Sequence, residues 1–407
     1  MNRRSGGLRP LVAGQFFGAL ADNALLVVAL QALAEAHAPS WQAPMLRVVF
    51  YGAYVLLAVF SGAAADAFAK RDVLVVTGLL KAAGCALLVA GTAPIAAYAF
   101  VGVAAVSHMP ARYGILGELV APESLLRSNA WLEGATLSAT LVGVVVGGGL
   151  LSRTFVSAAG VRSAHAAAGW LLAPYLAAVV CCSLVRRTPA VAPSAFRSVP
   201  KLPRQFAGVA RALLADPAAR KAVAFTTLFW AMAAVLQFEV LHWAGERFGL
   251  RLAQAVLLQL AVAIGMIAGA AAAGRWAAAG RVRHVAWAGS LAGVTLVALA
   301  VVQDLRCAVA LLATLGVLAG LVVVPMNAVL QERGAQAGRP GEWLAVQHFA
   351  ENAGSLVLLA LYGIAMVGGV SSTEVILVLG ALVAVPSIAT AWAGRPERRV
   401  TCPPGCH

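Results

Sequence analysis

The sequence predicts an all-α membrane protein in which twelve transmembrane helices form two bundles of six. Three observations support this fold class. The chain is 61% hydrophobic and only 11% charged, whereas about a quarter of the residues in a soluble domain are charged. Its apolar runs are long enough to span a bilayer. One long polar stretch, residues 187–220, separates the first six runs from the last six. Together these features exclude a soluble protein.

The individual spans are bounded by Gly, Pro or polar residues, where helices commonly end. The predicted spans are residues 11–34, 46–66, 73–92, 95–119, 128–150, 164–185, 221–245, 253–274, 284–303, 307–331, 342–367 and 372–394. The stretch between the sixth and seventh spans is rich in Pro, Arg and Lys, and it can form an amphipathic helix at 204–214. We therefore predict an N-terminal bundle, a cytoplasmic linker, a C-terminal bundle and a cytoplasmic tail at residues 1–186, 187–220, 221–394 and 395–407.

The net charge of +14 could indicate a nucleic-acid partner, but the distribution of the basic residues does not. They lie in short stretches between spans, and more of them fall on the side that carries the amino terminus. This bias is typical of the rule that places Lys and Arg on the cytoplasmic side of a membrane. It predicts a multi-pass protein with both termini in the cytoplasm and no nucleic-acid partner.

The six cysteines give little functional signal. Four of them fall in apolar runs and are expected to be inert core thiols: Cys85, Cys181, Cys182 and Cys307. The carboxyl tail ends in Cys402, Cys406 and His407. These three residues could bind a metal, but the ligands are few and a Pro-Pro-Gly spacer separates the thiols, which favours a disordered tail. We predict no metal there.

Charged side chains within the predicted spans carry the functional prediction. Asp22 lies about 16 Å along the first span from Leu11, and an ionised group at that depth usually faces a partner or a polar cavity. A functional role is favoured; the alternative is a buried ion pair with Lys81, which lies at a similar depth in the third span. Arg112 can hold a lipid phosphate bidentately. The alternative is a structural Arg that bonds helix-end carbonyls or Glu118.

A weak repeat places further polar residues at equivalent positions in the two halves. Glu133 and Glu351 each follow a Pro-containing helix end, and each could balance Arg112, bind an ammonium group or take up a proton. A salt bridge near the cytoplasmic end is the alternative. Neutral side chains add hydrogen-bonding capacity, although helix–helix bonding suffices for each one alone: Asn23, Asn129, Asn327, Gln347 and Asn352.

Charges at the predicted cytoplasmic ends are expected to form gating contacts rather than substrate contacts. The loop between the second and third spans reads GAAADAFAKR, from Gly62 to Arg71. It is similar to the loop motif of the major facilitator superfamily, with Ala69 where that motif usually has a glycine. The residues predicted to gate are Asp66, Lys70, Arg71, Glu118, Glu332 and Arg333. In the seventh span, Glu239 and His242 lie on one helix face; the rim of a solvated cavity is favoured over a metal pair.

Longer strings make the chain resemble the lysophospholipid transporters of Gram-negative inner membranes, a branch of that superfamily. The resemblance rests on Gln15–Leu26, Phe50–Val55, Asp66–Lys70, Gly78–Lys81, Pro110–Leu119, Val324–Arg333, Ala345–Gln347 and Glu351–Asn352. It does not extend to the linker or to the tail after Gly394. The seventh span departs from it, because Gln237 and Glu239 stand where the resemblance leads us to expect a basic and an apolar residue.

The resemblance implies the major facilitator fold and the movement of lysophosphatidylethanolamine and lysophosphatidylglycerol to the cytoplasmic leaflet. There a cytoplasmic acyltransferase (acyl-ACP synthetase), expected to be a separate chain, restores the diacyl lipid. Together with the depth of the charges, it implies substrate-binding residues Asp22, Asn23, Lys81, Arg112, Glu133, Gln347, Glu351 and Asn352.

Motifs of catalysis do not appear in the sequence. It contains no dinucleotide fingerprint, no Walker loop and no nucleophile elbow, so we expect no enzyme activity and no cofactor. Two rival functions stay open. One is a proton-coupled exporter of amphipathic drugs, and the other is a non-transporting membrane partner of a lipid enzyme.

Overall fold

A computed structural model describes residues 7–39, 42–152, 155, 157, 163–193, 199–250, 252–274 and 281–393. In these residues the chain forms thirteen helices and no strand. Eleven helices are long and apolar enough to cross a membrane, and a shorter apolar helix covers Leu257–Ala273 within a further span. The predicted fold class is therefore confirmed. The tail with Cys402, Cys406 and His407 lies outside the described residues.

Twelve of the helices correspond to the twelve predicted spans. The first half contains α1 (Leu8–Glu35), α2 (Gln42–Ala67), α3 (Lys70–Val89), α4 (Pro94–Leu119), α5 (Pro122–Leu150) and α6 (Ala164–Ser183). The linker helix α7 (Leu202–Ala215) follows. The second half contains α8 (Pro217–Phe248), α9 (Leu252–Ala273), α10 (Arg281–Val301), α11 (Leu305–Gln336), α12 (Pro340–Val367) and α13 (Ser372–Ala393).

Several helices extend beyond their apolar runs because local capping, rather than hydropathy, sets where they begin. The Asp216 side chain accepts from the backbone N–H groups of Ala218 and Ala219 and so begins α8, as an N-cap does. Asp304 begins α11 in the same way through Cys307 N–H, and this hydrogen bond lowers the pKa of Asp304. The helix α5 begins at Pro122 without a side-chain cap, with proline in its first turn, where proline is well tolerated. Hydropathy predicted a start at 128 because the residues before it are polar.

Within each half, small residues let the helices approach closely, as is common in membrane bundles. In the second half, α9 packs along α11. A Cβ atom added at Gly265 would lie 2.0 Å from the carbonyl oxygen of Ala313, and one at Gly269 would lie 2.1 Å from that of Val317. No side chain fits at either position, so only glycine permits this contact.

The two halves meet along two helix pairs, α2 with α12 and α5 with α9. The α2–α12 contact is close: a Cβ added at Gly62 would lie 2.8 Å from the Cα of Glu342. These pairs bring α4 and α5 of the first half against α11 and α12 of the second. We call the end where α2 ends and α12 begins the gate end, and the opposite end the far end.

Candidate functional site

Buried polar side chains from both halves form one hydrogen-bonded cluster where α4, α5, α11 and α12 meet. Glu133 accepts from the hydroxyl group of Tyr113 and, at 3.3 Å, from the Nδ2 of Asn327. The Oδ1 of Asn327 accepts in turn from Gln347 Nε2 at 2.7 Å. A first-half carboxylate is thus connected through Asn327 to the second half.

The same cluster continues along α12. Gln347 Nε2 also lies 2.7 Å from Glu351 Oε1, and the other Glu351 oxygen lies 3.0 Å from His348 Nδ1. The His348 ring centroid is 5.7 Å from that of Tyr113, which brings the cluster back to the first half. We call this set the central network; its members are Tyr113, Glu133, Asn327, Gln347, His348 and Glu351.

Every member of the central network is buried, with exposed fractions of 1 to 6%. Two of its atoms have no hydrogen-bond partner among the described residues, namely Gln347 Oε1 and His348 Nε2. A buried polar atom without a partner is costly. The network therefore retains hydrogen-bonding capacity that its own side chains do not use.

Arg112 lies beside the central network and is 1% exposed. Its guanidinium carbon is 4.3 Å from the Tyr113 ring centroid, a cation–π distance. One terminal nitrogen donates weakly to Thr136 Oγ1 at 3.4 Å, and its Nε has no partner. Glu118, the acidic partner considered from the sequence, instead pairs with Lys70. The guanidinium is thus stacked but incompletely hydrogen-bonded.

Asp22 and Lys81 form an ion pair inside the first half. Lys81 Nζ lies 2.6 Å from Asp22 Oδ2, and the Tyr175 hydroxyl donates to Asp22 Oδ1 at 2.9 Å. These side chains come from α1, α3 and α6, whereas those of the central network come from α4, α5, α11 and α12. The geometry is the ion pair that the sequence left open as an alternative, and a substrate contact by Asp22 or Lys81 stays a prediction.

The predicted amide residues make structural hydrogen bonds. Asn23 donates to the Ala19 carbonyl and to Thr140 of α5, at 2.8 and 3.3 Å. Asn352 donates to the His348 carbonyl of its own helix. Asn129 forms a reciprocal pair with Gln331 across the two halves, with distances of 3.0 and 2.7 Å.

Asp66 forms a contact between the two halves at the gate end. Its two carboxylate oxygens accept from the backbone N–H groups of Gly341 and Glu342, at 2.8 and 2.9 Å. A carboxylate at a helix N-terminus is favoured by the unpaired N–H groups and the helix dipole. Lys70 lies 3.8 Å from Asp66 and 2.6 Å from Glu118, so the loop motif connects α2, α3 and α4 of the first half while Asp66 contacts α12.

Two other predicted gating residues, Arg71 and Arg333, form ion pairs away from the opposite half. Arg71 pairs with Asp72 at 2.9 Å, and Arg187 reaches the same carboxylate at 2.7 Å. Arg333 pairs with Asp216 at 3.5 Å. Glu332, beside Arg333, is partly buried. Asp66 thus contacts the opposite half in this conformation, whereas the ion pairs of Arg71 and Arg333 do not.

Sequence reasoning missed Tyr113, His348 and Gln331. Tyr113 and His348 are aromatic. A neutral aromatic residue within a membrane span is much less costly than a charge, so its position there does not mark it as functional. His348 could have been found from its spacing, because it lies three residues from Glu351 on the same helix face.

Glu239 and His242 do not form a pair. His242 Nε2 lies 3.2 Å from Glu246, and both side chains are about half exposed, whereas Glu239 is 0% exposed. The predicted solvated rim thus describes His242 but not Glu239. Across the described ranges, no group of three or more metal-ligating side chains was found.

Apolar space is available beside the second half. A cavity of about 410 Å³ lies between α8, α12 and α13, and apolar side chains line most of it, including Val223, Leu358 and Leu382. A larger cavity of about 760 Å³ lies at the gate end of the first half, beside α3 and residues 187–190.

Comparison with known proteins gives consistent results. Residues 11–358 match the profile of the Major Facilitator Superfamily. A lysophospholipid transporter LplT of Klebsiella pneumoniae subsp. pneumoniae is 36% identical over 389 residues, which cover 95% of this chain and 96% of that protein. The protein of the same name from Serratia proteamaculans is 36% identical over 88% of this chain and 87% of its own length.

Solved structures share the fold. The human organic anion transporter MFSD10 (TETRAN) superposes with a TM-score of 0.77 at 18% identity, covering 96% of this chain and all of that one. The Escherichia coli fucose:proton symporter FucP superposes with a TM-score of 0.74 at 14% identity, covering 95% and 98%. At such identities the likeness extends to the fold alone.

Proposed function

Because this chain belongs to the lysophospholipid-transporter family of the major facilitator superfamily, we propose that it transports lysophospholipids. The substrates are chiefly lysophosphatidylethanolamine and lysophosphatidylglycerol, moved across the bacterial inner membrane to the cytoplasmic leaflet for reacylation. The observation that carries this proposal is 36% identity to proteins of that name over 95% of the chain. A separate cytoplasmic acyltransferase would use the product.

The head-group phosphate is assigned to Arg112. Its buried guanidinium has an unused Nε donor, and Arg suits a phosphate because its planar fork can donate two parallel hydrogen bonds. Stacking on Tyr113 holds the guanidinium plane in place without neutralising its charge. The same side chain would therefore be ready to pair with an anion.

The ammonium group of an ethanolamine head is assigned to α12. Gln347 Oε1 and His348 Nε2 are acceptors without partners when the imidazole is neutral and donates through Nδ1. Both side chains contact Glu351, whose carboxylate carries the charge opposite to that of an ammonium group. An ammonium group carries three donors and no acceptor, which matches such a set. Glu133 and Asn327 join this region to Arg112 across the halves.

The single acyl chain requires an apolar space beside the polar site. The cavity of about 410 Å³ between α8, α12 and α13 is a candidate for that chain. Rocking of the two halves would then expose the head-group site to alternate sides. The Asp66 contact with α12 closes the gate end, which we assign to the cytoplasm together with both termini.

The rival functions have less support. Proteins 35–36% identical to this chain are named lysophospholipid transporters, which disfavours an exporter of amphipathic drugs. If the chain were a non-transporting partner of a lipid enzyme, the central network that joins the two halves would have no role.

A lipid panel tests the proposal. The purified protein is reconstituted in vesicles, and movement of labelled single-chain lipids is followed by back-extraction with albumin. We expect transport of lysophosphatidylethanolamine and lysophosphatidylglycerol, and little transport of a monoacylglycerol that has the same chain but no phosphate. Equal transport of all three lipids, or of none, would overturn the assignment.

A further inference from the structure

Glu239 differs from every other buried acid that the structure describes. The buried acidic residues in those ranges are Asp66, Glu133, Glu239, Glu342 and Glu351. Asp66 accepts from two backbone N–H groups, and Glu133 accepts from a hydroxyl group and an amide. Glu342 pairs with an arginine, and Glu351 contacts a glutamine and a histidine. Glu239 is 0% exposed, and neither of its carboxylate oxygens has a hydrogen-bond partner.

The groups around Glu239 are polar but not cationic. The hydroxyl groups of Ser372 on α13 and Tyr362 on α12 lie near its carboxylate, but among the described residues neither carboxylate oxygen has a donor in hydrogen-bonding geometry. Trp243 lies one turn along α8. The Ser372 hydroxyl and the Trp243 Nε1 are also buried without partners.

The charged groups at this end are engaged elsewhere. His242 and Glu246, the titratable neighbours on α8, pair with each other at 3.2 Å. Arg247 donates to the carbonyls of Val301 and Val302. Glu374 at the start of α13 accepts from Ser371. Over the described ranges, no Lys, Arg or His therefore forms an ion pair with Glu239.

An ionised carboxylate without partners is strongly disfavoured in a buried site, and such a group becomes neutral by taking up a proton. We propose that Glu239 is a proton-binding site and that its carboxyl group is protonated in this conformation. The proton comes from water at the far end, where His242 and Glu246 are half exposed. In the reaction, the carboxylate and a proton give the neutral acid, and no other group changes.

The position of Glu239 links this proton to the transport cycle. The Tyr362 hydroxyl group, which lies near the Glu239 carboxylate, belongs to α12. The same helix carries Gly341 at the gate end and Gln347 in the central network. Protonation stabilises the conformation in which Glu239 is buried, and loss of the proton favours one that hydrates it. The resemblance led us to expect an apolar residue at this position, and this chain has an acid there instead.

Infrared spectroscopy of the purified protein tests the proton directly and needs no substrate. The C=O stretching band of a protonated carboxyl group is compared at neutral pH in the wild type, in Glu239→Gln and in Glu246→Gln. Glu246 is the matched control because it is an exposed acid on the same helix. We expect a band that Glu239→Gln loses and Glu246→Gln keeps. A spectrum in that region unchanged by Glu239→Gln would overturn the proposal.

Two further measurements keep the test decisive. If Glu239→Gln does not fold, Glu239→Asp replaces it, and the band should shift in frequency; an unshifted band contradicts the proposal. In vesicles, transport of labelled lysophosphatidylethanolamine should respond to an imposed pH gradient in the wild type and in Glu246→Gln, and lose that response in Glu239→Gln. A response retained by Glu239→Gln contradicts the coupling. If no variant moves the lipid, the proposed function fails while the infrared result still decides the proton site.

Discussion

The Asp66 carboxylate of α2 accepts the backbone N–H of Gly341 at 2.8 Å, so a side chain of the first half caps the first turn of a helix in the second half. The contact is fully buried on the Asp66 side. It is the point at which the loop motif and α12 close the gate end.

Replacement of Asp66 by Asn should weaken this closure. The amide keeps one acceptor oxygen but loses the charge and the second acceptor. Hydrogen bonds to charged groups contribute about 1.5–3 kcal/mol, or a roughly 10- to 100-fold change in the closed population. Hydrogen exchange of the peptide that contains Gly341 and Glu342 should accelerate. Asp72→Asn, which changes a half-buried acid near the same loop that pairs with Arg71 and Arg187, should leave that peptide unchanged. Equal protection of the peptide in both variants contradicts the gate assignment.

Gly341 itself should tolerate no side chain. A Cβ at this position would lie 2.7 Å from Asp66 Oδ1, so Gly341→Ala forces the helices apart at a cost of about 1–3 kcal/mol. Thermal unfolding in detergent should occur at a lower temperature. Gly363→Ala on the same helix meets no atom within 4 Å and is the control; similar unfolding temperatures for both variants would count against this packing.

The Asp22–Lys81 ion pair allows a test that separates structure from transport. Asp22→Asn leaves a buried ammonium group unpaired and should destabilise the protein by about 3–5 kcal/mol. The double variant Asp22→Asn/Lys81→Met should recover much of that loss. If Asp22 also contacts the substrate, the stable double variant will still fail to transport lysolipid. Recovery of transport together with stability would make the pair purely structural.

The reciprocal amide pair between Asn129 and Gln331 should couple the halves. Asn129→Ala leaves the Gln331 amide buried without its partner, which costs about 1–3 kcal/mol. The double variant Asn129→Ala/Gln331→Ala should therefore be less destabilised than the sum of the single variants. Unfolding free energies in a double-mutant cycle measure this coupling. Simple additivity would show that the two side chains do not interact in solution.

Hydropathy predicted the spans well because a bilayer imposes length and composition on every helix that crosses it. It predicted helix ends less well, as α5 shows, because Pro122 and the polar turn after it are outside the hydrocarbon and carry no apolar signal. The boundaries of the two bundles, the linker and the tail, and the cytoplasmic location of the termini, stay predictions.

Position within the predicted spans indicated several charges that the structure buries, namely Lys81, Arg112, Glu133 and Glu351, but not which way a charge faces. The Asp22 carboxylate turns toward Lys81 and Tyr175 within its own bundle. Helix rotation decides this, and the spacing of one charge on a glycine- and alanine-rich helix does not fix it. The repeat predicted equivalent positions for Glu133 and Glu351 in the two halves, and the structure brings both into the central network. Tyr113 needed the structure, whereas the spacing of His348 from Glu351 could have indicated it.

The most direct test of the central claim is the rate at which reconstituted Arg112→Gln moves labelled lysophosphatidylethanolamine, compared with the wild type and with Arg187→Gln, an exposed arginine control. Loss of a charge-assisted phosphate contact of about 1.5–3 kcal/mol predicts that Arg112→Gln has a roughly 10- to 100-fold lower apparent affinity for the lipid, seen in how the rate depends on lipid concentration. Arg187→Gln should keep the apparent affinity of the wild type. Unchanged transport by a correctly inserted Arg112→Gln protein would contradict the account.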